Sequence, residues 1–213
     1  MLAAYQPSMF DVDAAPDLGP LAGRMRRHRL TRGAWVDHLP GWVRNSDAIL
    51  DVLLHEVGWR AERRTMYDSE VDVPRLLRWY GGGEPLPHDL LTRAREELSR
   101  HYAAELGEPF VTAGMCLYRD GRDSVAWHGD TTARDMGRAI VATVSLGEPR
   151  RFLLRPVEGP PELRAWSLGG GDLLVMGGTC QRTWRHAVPK RAHAGPRIAL
   201  MFRPAWGGRY DQR

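Results

Sequence analysis

The sequence predicts an α+β protein, mainly β, in which two helices precede a sandwich or jelly roll of short strands. After Pro109, short apolar runs alternate with turns, and no helical period separates them. Before that point, two segments repeat apolar residues at three- and four-residue steps, as amphipathic helices do. Seven or eight strands without intervening helices favour packed antiparallel sheets over a parallel α/β sheet. We therefore expect the helices to pack on the outside of one sheet.

The length and composition are those of one ordinary soluble domain. The chain has 213 residues, 43% of them hydrophobic and 26% charged. No stretch approaches the roughly 18 apolar residues of a membrane helix, and the N-terminus lacks a signal-peptide pattern. Two cysteines do not make a disulfide framework. We expect a cytoplasmic protein that acts as a monomer.

The net charge of +4 comes almost entirely from arginine, since Lys190 is the one lysine. Arginine grips phosphate groups well, so a basic balance favours a polyanionic partner such as nucleic acid. A GC-rich genome would produce the same bias, and both explanations stay open.

The first element is a proline- and arginine-rich extension, residues 1–44, predicted to be mostly irregular and to wrap the core. A helix is predicted from about residue 47, capped by Asn45 or Ser46 and ended by Gly58. A second helix is predicted over residues 87–106, where Gly107 marks the stop. Residues 45–107 thus hold the helices and an arginine-rich segment between them.

The strands follow in residues 108–205, which complete one globular domain. Turn signals such as Asp120-Gly121 and Gly195-Pro196 separate them. The predicted strands are residues 111–119, 139–146, 151–155, 164–168, 172–176, 184–188 and 197–203.

Three side chains in this region have the chemistry of a metal site. In an extended chain His128 and Asp130 point to the same side, so both can bind one ion. His186 follows at the start of a later strand, which a jelly roll can bring back beside the first pair. Two imidazoles and a carboxylate form the facial triad of non-haem Fe(II) oxygenases. The spacing alone is a weak signal, and solvated or core histidines are the alternative.

Two arginines lie six residues apart on the last predicted strand, Arg197 and Arg203, and so share a face. Buried arginines are costly unless an anion pairs with them, so the strand indicates a site for a carboxylate or dicarboxylate. Arginines facing solvent from an edge strand would show the same spacing.

Together these motifs resemble the AlkB family, over roughly residues 45–205. The features that occur in the family's order are Tyr118, His128-Gly-Asp130, the strand 141–146, the run 171–176, His186-Ala-Val-Pro189 and Arg197 with Arg203. The resemblance implies a double-stranded β-helix (jelly roll) core and an Fe(II)- and 2-oxoglutarate-dependent dioxygenase that uses O2. It implies that dealkylation of a nucleic-acid base releases an aldehyde, succinate and CO2.

The resemblance also implies roles for matching positions. His128, Asp130 and His186 would be the metal ligands and catalytic centre. Arg197 with Tyr118 would hold the distal carboxylate of 2-oxoglutarate, and Arg203 would lie near its iron-chelating end.

The chain departs from the family pattern at several positions. Cys116 stands where the family usually has asparagine, and Ala199 where it often has asparagine or serine, so both remove expected hydrogen bonds to 2-oxoglutarate. We expect Cys116 to line the pocket. Thr131 and Thr132 replace acids that read the damaged base; they can still hydrogen-bond to it, but the preferred lesion stays open.

Residues 60–83 resemble the family's nucleotide-recognition lid, because arginines alternate with aromatic residues there. Arg75 matches a motif of duplex-acting members. We expect Trp79 or Tyr80 to stack on the target base and Tyr67 to probe the gap, although Trp79 and Tyr80 could equally be core aromatics.

The leading hypothesis is repair of alkylated DNA. The alternatives are the same chemistry on an RNA base, such as one in tRNA, and a nucleic-acid-binding module with a non-catalytic metal site.

Overall fold

The computed structural model describes residues 15–66, 69–130, 133 and 136–206. It contains two main helices and two short ones: α1 (Ser46–Glu56), α2 (Asp89–His101), α3 (Ala103–Leu106) and α4 (Cys180–Thr183). The predicted second helix is interrupted at Tyr102, whose hydroxyl donates to Oδ2 of buried Asp37 at 2.8 Å. Gly107, with φ 72°, ends α3 where the sequence predicts a stop.

The described chain contains fourteen strands. They are β1 (Asp17–Leu18), β2 (Arg26–Arg29), β3 (Ala34–Leu39), β4 (Val43–Arg44), β5 (Arg60–Met66), β6 (Ser69–Tyr80), β7 (Phe110–Tyr118), β8 (Val125–His128), β9 (Val141–Gly147), β10 (Arg150–Pro156), β11 (Arg164–Leu168), β12 (Asp172–Gly178), β13 (Trp184–Val188) and β14 (Arg197–Pro204).

The strands form a large and a small antiparallel sheet, which confirms the predicted mainly β jelly roll. The large sheet has the order β2-β3-β12-β9-β14-β7-β6-β5, and the small one the order β11-β10-β13-β8. β1 and β4 pair separately. No helix among the described residues is long and apolar enough to span a membrane.

Strand β14 shows how the large sheet separates two cores. Ile198, Leu200 and Phe202 are fully buried in a cluster with the apolar faces of α1 and α2. The alternate residues Arg197 and Arg203 line a cavity on the other side, between the sheets. This alternation is the period-2 pattern of an extended chain, and it puts both arginines on one face as the sequence predicts.

The N-terminal segment differs from its prediction. Instead of being mostly irregular, residues 34–39 form β3, which pairs along its length with β12 in the large sheet. β2 then adds the edge strand, although all four of its residues are exposed. Residues 17–44 therefore belong to the core architecture.

Gly177 on β12 is expected to be intolerant of any side chain. A Cβ there would lie 2.0 Å from the ring of Trp35, and Trp35 is held by stacking on Tyr102 at 6.0 Å. We expect Gly177→Ala to lower the free energy of unfolding by about 2 kcal/mol in urea denaturation, because the core is overpacked. Gly58→Ala is the control, since nothing lies within 4 Å of its Cβ position. Equal stabilities would contradict this packing.

Candidate active site

The small sheet brings the two predicted imidazole ligands together. His128 on β8 is the register partner of His186 on β13, and their ring centroids are 4.2 Å apart. Phe152 on β10 stacks on the His186 ring with centroids 5.4 Å apart. The 58-residue separation in sequence is thus closed by one antiparallel strand pair.

Both imidazoles are suited to bind a cation. Burial lowers the pKa of His186 well below its ordinary value. His128 reaches solvent, yet partial desolvation by the surrounding protein also lowers its pKa, and the Ala126 carbonyl opposes that shift. Nδ1 of His128 lies 2.9 Å from that carbonyl oxygen, so an N–H there leaves Nε2 with its lone pair free. Neutral imidazole is the form that ligates metals.

Asp130 lines the same cavity as the two histidines. Its Oδ2 accepts a hydrogen bond from Nε of Arg203 at 2.8 Å, and its Oδ1 accepts from the backbone N–H of Ala133 at 3.4 Å. Within the described part of the chain, no three His, Cys, Asp or Glu side chains are already clustered as a metal site. In this structure the carboxylate is engaged by Arg203, in the cavity that the two imidazoles also line.

Arg197 forms the opposite end of the cavity. Only 1% of it is exposed, and its Nε donates to Oγ of Ser145 at 2.7 Å. The guanidinium lies 5.1 Å from the Tyr118 ring centroid. Its NH1 is buried without a hydrogen-bond partner. Burial raises the pKa of Tyr118 to about 12, so its hydroxyl keeps its proton and can donate it.

These residues fit Fe(II) and 2-oxoglutarate. Two nitrogen donors and one carboxylate lining one cavity are the ligand types of a non-haem Fe(II) site. A buried guanidinium with an unpaired N–H lacks its counter-charge, and a carboxylate supplies both the charge and the acceptor. The dicarboxylate would lie between Arg197 and the metal ligands.

Arg75 of β6 also lines the cavity, so the predicted lid segment contributes a side chain to the site. Its NH1 donates to the Ser124 carbonyl at 3.2 Å, while its Nε is buried without a partner. A second guanidinium group with an unpaired N–H therefore lines the cavity.

Trp79 and Tyr80, which are predicted to stack on the base, are not among the residues that line the cavity. Tyr80 is 6% exposed in the helix-side core, and Arg78 covers its ring at 4.3 Å. This burial argues against stacking of Tyr80 on a base. Trp79 packs in a small cluster around Ala133 and lies 5.9 Å from Arg203. Tyr67, Thr131 and Thr132 lie outside the described residues.

Sequence reasoning missed three polar residues of the site. Ser145 orients Arg197, and Gln181 lines the cavity and accepts from the backbone N–H of Asp130 at 3.4 Å. Arg150 is 1% exposed and donates to the carbonyls of Asp120, Asp123 and Pro189, which fixes the loops beside Tyr118. The one sequence signal for Arg150 and Ser145 is that each is a polar residue at a buried position of a strand.

Cys116 lines the cavity as predicted, and Ala199 is its partner on β14. The other cysteine, Cys180, is 1% exposed, and burial raises its pKa to about 12. We expect iodoacetamide at pH 8 to modify Cys116 and spare Cys180, because only the thiolate reacts. Peptide mass spectrometry would identify the labelled site.

The Cys116→Ser variant is the control and should take up no label until it is denatured. 2-Oxoglutarate should slow the labelling of Cys116 in the unmodified protein, since both occupy one cavity. Labelling of Cys180 at the same rate would contradict the described burial.

Comparisons with known proteins agree with this geometry. The 2OG-Fe(II) oxygenase superfamily model matches residues 37–203. Human alpha-ketoglutarate-dependent dioxygenase alkB homolog 3 is 32% identical over 188 residues, covering 78% of this chain and 65% of the relative. The DNA oxidative demethylase ALKBH2 of Arabidopsis thaliana is 33% identical over 166 residues, covering 66% and 52%.

A solved structure, "The structure of OsALKBH1", matches with a TM-score of 0.59 at 15% identity. The match covers 84% of this chain and 100% of that one, and it shows the shared fold. The chain therefore spans a little less than two thirds of the first curated relative and matches the whole of the solved structure.

Proposed function

This chain belongs to the AlkB family of the 2OG-Fe(II) oxygenase superfamily, and we propose that it oxidatively removes alkyl groups from damaged DNA bases. In the proposed reaction, an N-alkylated base, 2-oxoglutarate and O2 give the restored base, an aldehyde, succinate and CO2. One oxygen atom enters succinate and the other hydroxylates the alkyl carbon. The resulting hemiaminal then breaks its C–N bond and releases the aldehyde.

The proposal is carried by one observation: the paired imidazoles line the same cavity as the guanidinium of Arg197, which has one unpaired N–H group. The imidazoles are 4.2 Å apart, and Arg197 NH1 is buried without a partner. A structural arginine would satisfy its N–H groups within the protein. An open N–H in the same cavity as two candidate metal ligands supports a co-substrate that bridges them.

The chain's own residues would hold the reactants in order. Fe(II) and 2-oxoglutarate, when bound, supply the oxidising power of the reaction. Arg197 and the Tyr118 hydroxyl would bind the distal carboxylate and orient it. Phe152 and Met176 line the same cavity and would keep water from the reacting carbon.

DNA is favoured as the substrate by the relatives and by the lid. A relative 33% identical is a DNA oxidative demethylase by name. Arg75 brings positive charge from the lid strand β6 into the cavity. Since a base must leave its stack to reach such a cavity, a cation that lines the cavity would help to hold the extruded nucleotide by its phosphate.

The test has two stages. Anaerobic addition of Fe(II) and 2-oxoglutarate should produce the weak visible charge-transfer absorption of this enzyme class, and a His186→Ala variant should lack it. Formaldehyde and succinate are then measured with oligonucleotides carrying 1-methyladenine or 3-methylcytosine as single-stranded DNA, duplex DNA and RNA.

We expect the highest kcat/KM on DNA, with one formaldehyde molecule released per restored base. Higher turnover on RNA than on either form of DNA would move the substrate to RNA. A flat spectrum together with oligonucleotide binding would instead identify a nucleic-acid-binding module.

A further inference from the structure

We propose that the outer face of the small sheet binds the phosphodiester backbone of a nucleic-acid strand through Arg151, Arg155, Arg185 and Trp127. These four residues are called the outer basic face below. The inference rests on the proposed function, because it assigns where the polymer runs outside the cavity.

Strand alternation places these side chains on the opposite face from the candidate metal ligands. On β13, Arg185 is exposed next to the inward His186, and on β8 Trp127 precedes His128. On β10, Arg151 and Arg155 are exposed, whereas Phe152 and Leu154 are buried between the sheets. The same strands therefore build the site on one side and a basic surface on the other.

The positive charge on this face has no neutralising carboxylate among the residues that the structure describes. Arg155 and Arg185 are direct register partners on neighbouring strands, an arrangement in which like charges repel. Across the described residues, neither of them nor Arg151 has a carboxylate within ion-pair distance. Some exposed arginines elsewhere do have one: Arg93 pairs with Asp17 at 2.7 Å, and Arg122 with Asp120 at 2.7 Å. Two opposed, unpaired guanidinium groups favour a polyanion.

An aromatic ring orients one of these arginines. The Cζ atom of Arg155 lies 4.3 Å from the centroid of the half-buried Trp127 ring. Stacking over the ring fixes the guanidinium plane and leaves its N–H edge available for phosphate oxygens. Because the guanidinium orientation is fixed before a phosphate binds, less conformational entropy is lost on binding.

The outer basic face begins at the edge of the candidate active site. Trp127 adjoins His128, which is exposed, and β8 is the edge strand of the small sheet. From there the charges extend along β10, where Arg151 and Arg155 are four residues apart, or about 13 Å. A strand whose target base enters the cavity can thus lay its neighbouring phosphates along this row.

The experiment measures equilibrium binding of a fluorescein-labelled, unmodified single-stranded DNA oligonucleotide at several salt concentrations. The test variant is Arg155→Gln/Arg185→Gln. The matched control is Arg93→Gln/Arg100→Gln, which removes the same charge from exposed positions of α2, packed on the large sheet. Turnover on a methylated mononucleotide, too short to reach the face, is measured in parallel.

We expect the test variant to bind at least about tenfold more weakly, and the slope of log affinity against log salt to fall by about 1.4, roughly 0.7 per lost phosphate contact. Its mononucleotide turnover should equal that of the unmodified protein. Unchanged affinity and slope, or an equal loss in the control, would overturn the inference even if demethylation is observed. If no substrate is demethylated but the selective binding loss appears, the proposed function fails and this inference stands.

Discussion

Replacing Asp130 with alanine is expected to lower formaldehyde release by at least ~100-fold, because loss of a metal ligand costs more than loss of the groups that merely support one. Among the described residues that line the cavity with the imidazole pair, Asp130 is the one acidic group. Removing it would leave two nitrogen donors and take away the carboxylate that accepts from Arg203, so less negative charge would offset this guanidinium when a cation binds. A ligand that binds the native state raises the melting temperature of a protein. Fe(II) should therefore raise the melting temperature of the unmodified protein and fail to raise that of the variant.

Asp51→Ala is the control, since this carboxylate lies on the solvent-facing side of α1 and its side chain is 69% exposed. It should keep full turnover and the Fe(II)-dependent rise in melting temperature. Far-ultraviolet circular dichroism would check that the Asp130 variant folds. Full activity of a folded Asp130 variant would remove this residue from the metal site.

The second large effect is expected for Arg197→Met, which keeps the side-chain volume and removes the charge. Loss of one partner of a buried charge pair costs about 3 kcal/mol, so the KM for 2-oxoglutarate should rise roughly 100-fold. The KM for the oligonucleotide should change little, because Arg197 is 1% exposed and sits behind the cavity. Steady-state kinetics in which each reactant is varied in turn would measure the KM for 2-oxoglutarate and the KM for the oligonucleotide separately.

Arg93→Met serves as the matched substitution, because this arginine is 55% exposed on α2. It should leave both KM values unchanged. An Arg197 variant with a raised oligonucleotide KM and an unchanged 2-oxoglutarate KM would place the dicarboxylate elsewhere.

The parts of the site that lie on single strands could be predicted from the sequence. Arg197 and Arg203 share a face because six residues is an even spacing in an extended chain. His128 and His186 were expected to meet, and one strand pair between β8 and β13 joins them. The alternation of side chains along one strand and one antiparallel strand pair are enough to place these residues.

The parts that depend on register between distant strands could not be predicted. Ser145 reaches Arg197 because β9 pairs with β14 in one particular register, which no local pattern encodes. β2 is polar and exposed throughout, so its strand form comes from pairing with β3. The ring of Tyr80 was placed in the lid by its motif, yet it is buried in the core.

The edge position of β8 gives one ligand of the candidate centre a different local stability from its partner. β8 pairs with β13 alone, whereas β13 is held on both sides, by β8 and β10. Peeling of the outer strand therefore breaks a single ladder and separates the two imidazoles without unfolding the domain. An ion bound by both rings would hold β8 on β13. Amide hydrogen exchange along residues 125–128 should therefore slow when the metal site is occupied.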